Sequence, residues 1–176
     1  MNIQVAPAPL TLVLGGARSG KSRYAEGLIS AMSPPWTYVA TAEARDAEMA
    51  ERIAVHQARR GSEWRTIEAP RDLAGALASA QAGPVLVDCL TLWLSNRLLA
   101  DADIDGEIAE LEQALVRRSG AVVIVANEVG SGIVPDNALA RRFRDLQGNL
   151  NQRIAAGADS VVLMVAGLPL PVKGNP

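Results

Sequence analysis

The clearest chemical pattern in this chain is the loop sequence GGARSGKS, which has the spacing GxxxxGKS. This spacing, between an apolar run and a helical pattern, predicts a loop that binds nucleotide phosphates. Its glycines let successive backbone N–H groups point at phosphate oxygens, and the following helix adds its unpaired N–H groups. A plain glycine turn between strand and helix is the alternative. The predicted phosphate-binding residues are Gly15, Gly16, Ala17, Arg18, Ser19, Gly20, Lys21 and Ser22.

Two of these side chains and one downstream acid have distinct predicted roles. We expect Lys21 to reach the β and γ phosphates and the Ser22 hydroxyl to bind Mg²⁺. Asp88 ends the apolar run that begins at Val85, and an acid in that position often helps to hold the nucleotide's metal. Alone, the pattern around Asp88 is common and fits a simple strand-end cap. Combined with the loop, it predicts a metal site at Ser22 and Asp88.

The single histidine, His56, offers a third kind of chemistry. It shares an apolar stripe with Ile53 in a predicted helix from Ala44 to Arg60, and this position favours a buried core histidine. However, Arg52 and Arg60 lie four residues to either side, and nearby cations keep an imidazole neutral. A neutral imidazole that faces a bound triphosphate is a competent nucleophile. Both interpretations stay open on spacing alone.

Other polar residues fall where predicted strands meet loops. Thr41 follows one strand and is either a ligand contact or a helix N-cap, while Glu68 ends another and is either a ligand contact or a surface charge. The loop from Asn127 to Pro135 carries two glycines and either approaches a ligand or is an ordinary crossover. One polar helical stripe faces substrate, a partner subunit or water; it comprises Arg141, Asp145, Asn149 and Gln152.

The apolar runs predict the scaffold that positions these residues. Five runs lack the alternation of a half-exposed strand: Leu10 to Leu14, Thr37 to Ala40, Val85 to Asp88, Val122 to Ala126 and Val161 to Val165. Trp64 to Glu68 is a less regular sixth. Helical spacing occupies the intervals Lys21 to Met32, Ala44 to Arg60, Leu73 to Ala80, Ile108 to Arg118 and Leu139 to Ala156. This alternation predicts an α/β, P-loop NTPase-like, doubly wound and mostly parallel sheet with helices on both faces. Ligands of such sheets bind at the carboxyl ends of the strands.

Length and charge limit the number of domains and the classes of partner that we expect. The 176 residues predict a single domain over 1–176, with an irregular lead-in at 1–9 and a loose tail at 171–176. The net charge of −2 gives no reason to expect nucleic acid as a partner, and no apolar run approaches the roughly 20 residues of a membrane span. The one cysteine, Cys89, cannot form an internal disulfide and is expected to fill apolar space. We expect a cytoplasmic protein.

Taken together, these motifs resemble the bifunctional adenosylcobinamide kinase and adenosylcobinamide-phosphate guanylyltransferase family of cobalamin biosynthesis. The matching segments cover most of the chain in the family's order. They are GGARSGKSRYAE at Gly15 to Glu26, the segment Tyr38 to Pro70, VDCLTLWLSN at Val87 to Asn96, and the segment Asn127 to Ala155.

The resemblance implies two reactions. In the first, ATP or GTP phosphorylates the aminopropanol hydroxyl of adenosylcobinamide. In the second, GTP donates GMP to adenosylcobinamide-phosphate through a GMP–histidine intermediate, which releases pyrophosphate and gives adenosylcobinamide-GDP. The resemblance implies that His56, the only histidine in the chain, carries that intermediate.

The resemblance also implies further contacts and a homo-oligomer, such as a trimer. Glu128 is a candidate base for the aminopropanol hydroxyl, with a purely structural role as the alternative. The implied nucleotide contacts beyond the loop are Ala40, Thr41, Ala42, Gln57, Ala58, Arg59, Arg60, Glu68 and Asp88. Two rival functions remain: a kinase in which His56 is structural, and a nucleotide-dependent switch or assembly ATPase that acts on a protein partner.

Overall fold

The computed structural model of the chain describes residues 10–43, 51, 60–80 and 82–174. Seven strands form one sheet: β1 Leu10–Gly15, β2 Trp36–Ala40, β3 Trp64–Glu68, β4 Val85–Asp88, β5 Val122–Asn127, β6 Ser160–Val165 and β7 Leu168–Lys173. Their order across the sheet is β3-β2-β4-β5-β1-β6-β7. The first six strands run parallel, and β7 pairs antiparallel with β6. The predicted α/β fold with a mostly parallel sheet is confirmed.

Five helices connect the described strands: α1 Lys21–Ser30, α2 Leu73–Ser79, α3 Leu90–Leu99, α4 Ile104–Arg117 and α5 Ala138–Gly157. Three of them begin at a side chain that accepts a hydrogen bond from the backbone N–H three residues later. These N-cap residues are Asp72, Asp103 and Asn137. Such caps satisfy N–H groups that a helix leaves unpaired and thereby fix where the helix begins.

The sheet buries different residues on its two faces because strand side chains alternate. One face packs against α1, in a cluster that includes Val13, Ala25 and Ile29, and we call it the α1 face. The other packs against α2 to α5 and is called the four-helix face; its cluster includes Trp93 and Leu111. The prediction of helices on both faces is therefore also confirmed.

Strand register brings the carboxyl ends of five strands to one edge of the sheet. Gly15 of β1 lies opposite Asn127 of β5, and Ala40 of β2 lies opposite Asp88 of β4 and Glu68 of β3. The predicted phosphate-binding loop leaves β1 at this edge. The crevice outside these strand ends is where open parallel sheets bind ligands.

The structure corrects three predictions about elements. The prediction of a loose tail at 171–176 is wrong for residues 171–173, because residues 168–173 form β7 and hydrogen-bond to β6. Helix α3 was not predicted, and α4 begins four residues before the predicted Ile108, where Asp103 caps it. The less regular strand Trp64 to Glu68 is confirmed.

The lead-in at 1–9 and almost all of the predicted helix from Ala44 to Arg60 lie outside the described residues. No helix in the described part of the chain is long and apolar enough to cross a bilayer.

Candidate nucleotide site

The loop after β1 has a backbone that tolerates few side chains. A Cβ added at Gly15 would lie 2.6 Å from Ser19 Oγ and 2.8 Å from the carbonyl oxygen of Met164. Gly20, immediately before α1, has a φ of 95°, a conformation that side chains rarely adopt. The turn after β6 also braces the loop, since the N–H of Gly167 donates to the carbonyl oxygen of Ser19 at 3.1 Å. These constraints explain the glycines of the motif at both ends of the loop.

Lys21, the first residue of α1, folds its side chain back over this loop. Its ammonium donates to the carbonyl oxygen of Gly16 at 2.5 Å and lies 3.5 Å from Ser19 Oγ, and only 8% of the residue is exposed. Burial lowers the pKa of Lys21, while Cys89 and Asp88 act in the opposite direction. The ammonium therefore lies at the loop that a phosphate would occupy, with few compensating contacts.

Asp88 is the acidic residue whose charge interacts with the Lys21 ammonium. Burial raises the pKa of the neighbouring Cys89 thiol to about 12, so this thiol stays protonated and neutral. Cys89 is free and buried, which confirms its prediction as a small space-filling residue. Asp88 therefore supplies the negative charge that partly offsets the buried ammonium of Lys21.

Sequence reasoning missed Tyr38, which holds Asp88. The Tyr38 hydroxyl donates to Asp88 Oδ2 at 3.1 Å, and burial, with the adjacent Asp88 charge, raises the pKa of Tyr38 well above its ordinary value. The phenol therefore remains a donor. The guanidinium carbon of Arg60 lies 3.5 Å from the centre of the Tyr38 ring, and Trp64 meets that ring edge-on. A cation over a tyrosine ring is attracted to its π electrons. The alternation of β2, which puts Tyr38 two residues before Ala40 on the α1 face, was the available signal.

Thr41 links the ends of β2 and β4. Its hydroxyl donates to the carbonyl oxygen of Cys89 at 2.7 Å and accepts from the Cys89 N–H at 2.8 Å. The side chain is fully buried, and Asn96 donates to the Thr41 carbonyl oxygen at 2.9 Å. The hydroxyl of Thr41 thus has a structural partner at the place where the sequence predicts a nucleotide contact.

The other predicted contacts divide into three groups. Glu68 is exposed at the end of β3, two strands from Asp88, and the spacing of strands puts it about 10 Å away. The structure therefore does not bring Glu68 together with Lys21 and Asp88. Ala40 is buried at the end of β2, and Arg60 joins the site through Tyr38. The predicted site residues His56, Gln57, Ala58 and Arg59 lie outside the described residues.

The loop after β5 is tied to the phosphate-binding loop. The N–H of Glu128 donates to the carbonyl oxygen of Gly15 at 3.0 Å. The Glu128 carboxylate accepts from the Gly130 N–H at 2.6 Å, which closes a tight turn. Further along, Arg141 donates to the carbonyl oxygens of Pro135 and Asp136, so α5 anchors the end of this loop. The loop from Asn127 to Pro135 therefore borders the site.

Sequence comparisons identify the family of the chain. The family model described as cobinamide kinase / cobinamide phosphate guanyltransferase matches residues 11–172. A Pseudomonas aeruginosa protein, bifunctional adenosylcobalamin biosynthesis protein CobP, is 51% identical over 169 residues, which are 94% of this chain and 98% of that protein. The Salmonella typhimurium protein CobU, of the same descriptive name, is 44% identical over 93% of this chain and 99% of its own length.

Solved structures share the fold at low sequence identity. A Pyrococcus horikoshii protein aligns with a TM-score of 0.55 and 10% identity over 96% of this chain and 87% of its own. An ATPase from a bacterial type III secretion system aligns with a TM-score of 0.52 and 14% identity over 88% of this chain and 50% of its own. These likenesses concern the fold, whereas the sequence matches concern the family. The chain belongs to the cobinamide kinase / cobinamide phosphate guanyltransferase family.

Proposed function

We propose that this chain phosphorylates adenosylcobinamide with a nucleoside triphosphate and then transfers GMP from GTP to the resulting phosphate, giving adenosylcobinamide-GDP and pyrophosphate. The observation that carries the proposal is the glycine-constrained loop with the buried Lys21 ammonium folded over it, in a chain of this kinase and guanyltransferase family. Both reactions use a triphosphate, so one phosphate cradle serves both.

In the kinase step, the loop residues Gly15 to Ser22 bind the phosphates. The backbone N–H groups and the N-terminus of α1 face negative charge. Lys21 exchanges its contact with the Gly16 carbonyl for a phosphate oxygen, which relieves its desolvation. The aminopropanol hydroxyl attacks the terminal phosphorus, the bond to the bridging oxygen breaks, and a base takes the hydroxyl proton. Glu128 is our candidate base because it lies in the loop beside Gly15.

The donors of the predicted metal site fit Mg²⁺. Hydroxyl and carboxylate oxygens are hard ligands, and Mg²⁺ is often held by one or two such groups plus substrate phosphates. The Ser22 hydroxyl has no hydrogen bond to the described residues, and Tyr38 occupies only one oxygen of Asp88. A bound Mg²⁺ would neutralise charge on the phosphates and on the departing group. We propose Ser22 and Asp88 as its protein contacts.

In the guanylyl step, we propose that His56 attacks the α phosphorus of GTP. The new bond is a phosphoramidate between the imidazole and GMP, and pyrophosphate leaves with the bridging oxygen. A phosphate oxygen of adenosylcobinamide-phosphate then attacks the same phosphorus and releases the imidazole. His56 is the only histidine in the chain, and Arg59 and Arg60 follow it in sequence. Gln57, Ala58, Glu68 and the residues from Ala40 to Ala42 complete the proposed nucleotide contacts.

The test is incubation with GTP labelled at the α phosphate, followed by denaturing electrophoresis. We expect label on the protein that is labile in acid and stable in alkali, and no label in His56→Asn. GTP labelled at the γ phosphate is the control and should leave the protein unlabelled. If α-labelled GTP leaves wild-type protein unlabelled while it phosphorylates adenosylcobinamide, the protein is a kinase alone and His56 is structural.

We further propose that the protein is a cytoplasmic homo-oligomer. Three residues of the predicted polar stripe, Asp145, Asn149 and Gln152, are exposed on α5, where they are accessible to a second copy. Light scattering after size-exclusion chromatography gives the mass directly. A monomer at the concentration used for the activity assay would contradict the proposal.

A further inference from the structure

Asn127 lies beside the phosphate-binding loop without a role in the function proposed above. It is the last residue of β5 and pairs in register with Gly15, the last residue of β1. The next residue, Glu128, donates its N–H to the Gly15 carbonyl oxygen. The side chain of Asn127 therefore leaves the sheet where the phosphate-binding loop begins.

Asn127 also lies on the face of the sheet that carries the proposed nucleotide site. Val123 and Val125 pack on the α1 face, so alternation places Asn127 on that face as well. Leu86 packs on the same face, which places Asp88 there by the same argument. Since β4, β5 and β1 are neighbours, Asp88, Asn127 and the loop line one face of the edge in that order.

Buried polar side chains fix the backbone of Asn127 through hydrogen bonds. Its N–H donates to Thr91 Oγ1 at 2.7 Å, and its carbonyl oxygen accepts from Asn151 Nδ2 at 3.1 Å. Asn151 in turn accepts from Gln147 at 2.8 Å. All three supporting side chains are buried, and the amide oxygen of Gln147 has no hydrogen-bond partner among the described residues. Buried polar groups are costly unless paired, so this support fixes the position of Asn127 at a cost in stability.

The Asn127 carboxamide itself is uncommitted. The structure gives it no hydrogen bond among the described residues, although both backbone polar groups of Asn127 are paired. It is half-buried at the strand end. A rigidly held amide with two free N–H donors is suited to a phosphate oxygen, and its neutrality avoids repulsion of the phosphate.

We propose that the Asn127 side chain donates a hydrogen bond to the terminal phosphate of the bound nucleoside triphosphate, so that the site distinguishes triphosphate from diphosphate and positions the phosphoryl group for transfer. The proposal rests on the function proposed above. During transfer the terminal phosphorus loses its bond to the bridging oxygen and gains one to the aminopropanol oxygen. Asn127 contacts a spectator oxygen of that group and exchanges no proton.

The test compares GDP with the β,γ-imido analogue of GTP by calorimetry in the presence of Mg²⁺. Asn127→Ala should weaken binding of the imido analogue by about tenfold and leave GDP binding within about twofold, because one hydrogen bond to a charged group is lost. Asn127→Asp keeps the shape and should weaken the imido analogue further through charge repulsion. Gln113→Ala, on the exposed side of α4, is the control and should bind both nucleotides like wild type.

The outcomes separate this inference from the proposed function. If wild-type protein binds neither nucleotide, the proposed function fails. If wild type binds both but Asn127→Ala and Asn127→Asp leave the affinity ratio of the two nucleotides unchanged, the role of Asn127 is refuted and the proposed function stands. Thermal unfolding of each variant identifies loss of fold, and the isosteric Asn127→Asp keeps the test valid if Asn127→Ala unfolds.

Discussion

The two faces of the sheet have different coverings and carry different chemistry. On the four-helix face, α2 to α5 bury a cluster of 21 hydrophobic residues within the described part of the chain. On the α1 face the corresponding cluster has 12, and one described helix covers it. The site residues Lys21, Tyr38 and Asp88 all belong to the α1 face.

This difference shows how one sheet combines stability with a destabilising site. Burying the Lys21 ammonium without a phosphate is unfavourable, and the lowered pKa of Lys21 reflects that burial. We infer that the larger apolar cluster on the four-helix face offsets this cost. If this division is correct, substitutions on the two faces should separate activity from stability.

The largest effect is expected from Lys21→Met. Loss of the ammonium should lower both transfer reactions by about 10²- to 10³-fold, because it stabilises charge on the phosphates. The free energy of unfolding without nucleotide should stay equal or rise, because a desolvated charge is removed. Activity assays and urea unfolding measure the two quantities, with Arg23→Met, an exposed cation on the same helix, as the control. A Lys21→Met protein that is clearly less stable than wild type would contradict this account of the α1 face.

A matched pair of core truncations compares the two faces directly. Leu111→Ala on the four-helix face and Ile29→Ala on the α1 face both remove fully buried side chains and should each cost about 2 to 5 kcal/mol of unfolding free energy. Only Ile29→Ala should also weaken nucleotide binding, because α1 carries Lys21 and Ser22. Equal loss of nucleotide affinity in both variants, measured well below their unfolding temperatures, would remove the distinction between the faces.

A smaller effect is expected from Tyr38→Phe. The ring and its contacts with Arg60 and Trp64 remain, but Asp88 loses its hydrogen-bond donor. We expect the Mg²⁺ concentration for half-maximal activity to rise by about threefold to tenfold, with a stability loss of about 1 kcal/mol. Tyr24→Phe, which makes the same change at the other tyrosine of the chain, is the control and should leave the Mg²⁺ requirement unchanged. An unchanged Mg²⁺ requirement in Tyr38→Phe would mean that Tyr38 only packs.

The smallest effect concerns an ion pair on the four-helix side. Arg153 of α5 donates two hydrogen bonds to Glu112 of α4, at 2.6 and 2.8 Å, and these bonds lower the pKa of Glu112 below its ordinary 4.5. Both side chains are about one-third exposed, so Glu112→Gln should cost under about 1 kcal/mol at neutral pH.

The pH dependence of that pair follows from the direction of the shift. A carboxylate with a lowered pKa stabilises the fold above the unfolded value of about 4.5, and this contribution is lost as pH falls through the lower folded value. The difference between wild type and Glu112→Gln in unfolding free energy should therefore shrink between pH 6 and roughly pH 3. A difference that stays constant over this range would show that packing, not charge, accounts for it.

Much of the α1 face could be predicted from the sequence because its signals are local. The loop spacing and the apolar runs correctly locate β1, β4 and the start of α1. Tyr38 was missed because its hydrogen bond to Asp88 joins residues fifty positions apart, across two paired strands. The supporting network under Asn127 was missed for the same reason, since Thr91, Asn127 and Asn151 come from three separate elements.

The missed elements have physical causes of their own. Helix α3 follows β4 after one residue and buries Leu90, Trp93 and Leu94 together with polar residues on several sides, so it lacks a clear amphipathic period. The start of α4 was missed because Gly106, a poor helix residue, lies just after the capping Asp103. Strand β7 was missed because Pro169 and Pro171 argue against a strand, although an edge strand tolerates them.

Those two prolines have a consequence for how copies of the protein meet. β7 is the last strand of the described sheet, and its side chains Leu168, Leu170 and Val172 are exposed. Residues two apart in a strand direct their N–H positions to the same side, and β7 still pairs with β6, so the missing donors of Pro169 and Pro171 fall on the outward side. A strand from another molecule therefore cannot form a continuous ladder of backbone hydrogen bonds with β7. This apolar edge is therefore protected against the repeated strand addition that leads to cross-β aggregation. A neighbouring molecule that contacts it must do so through side chains.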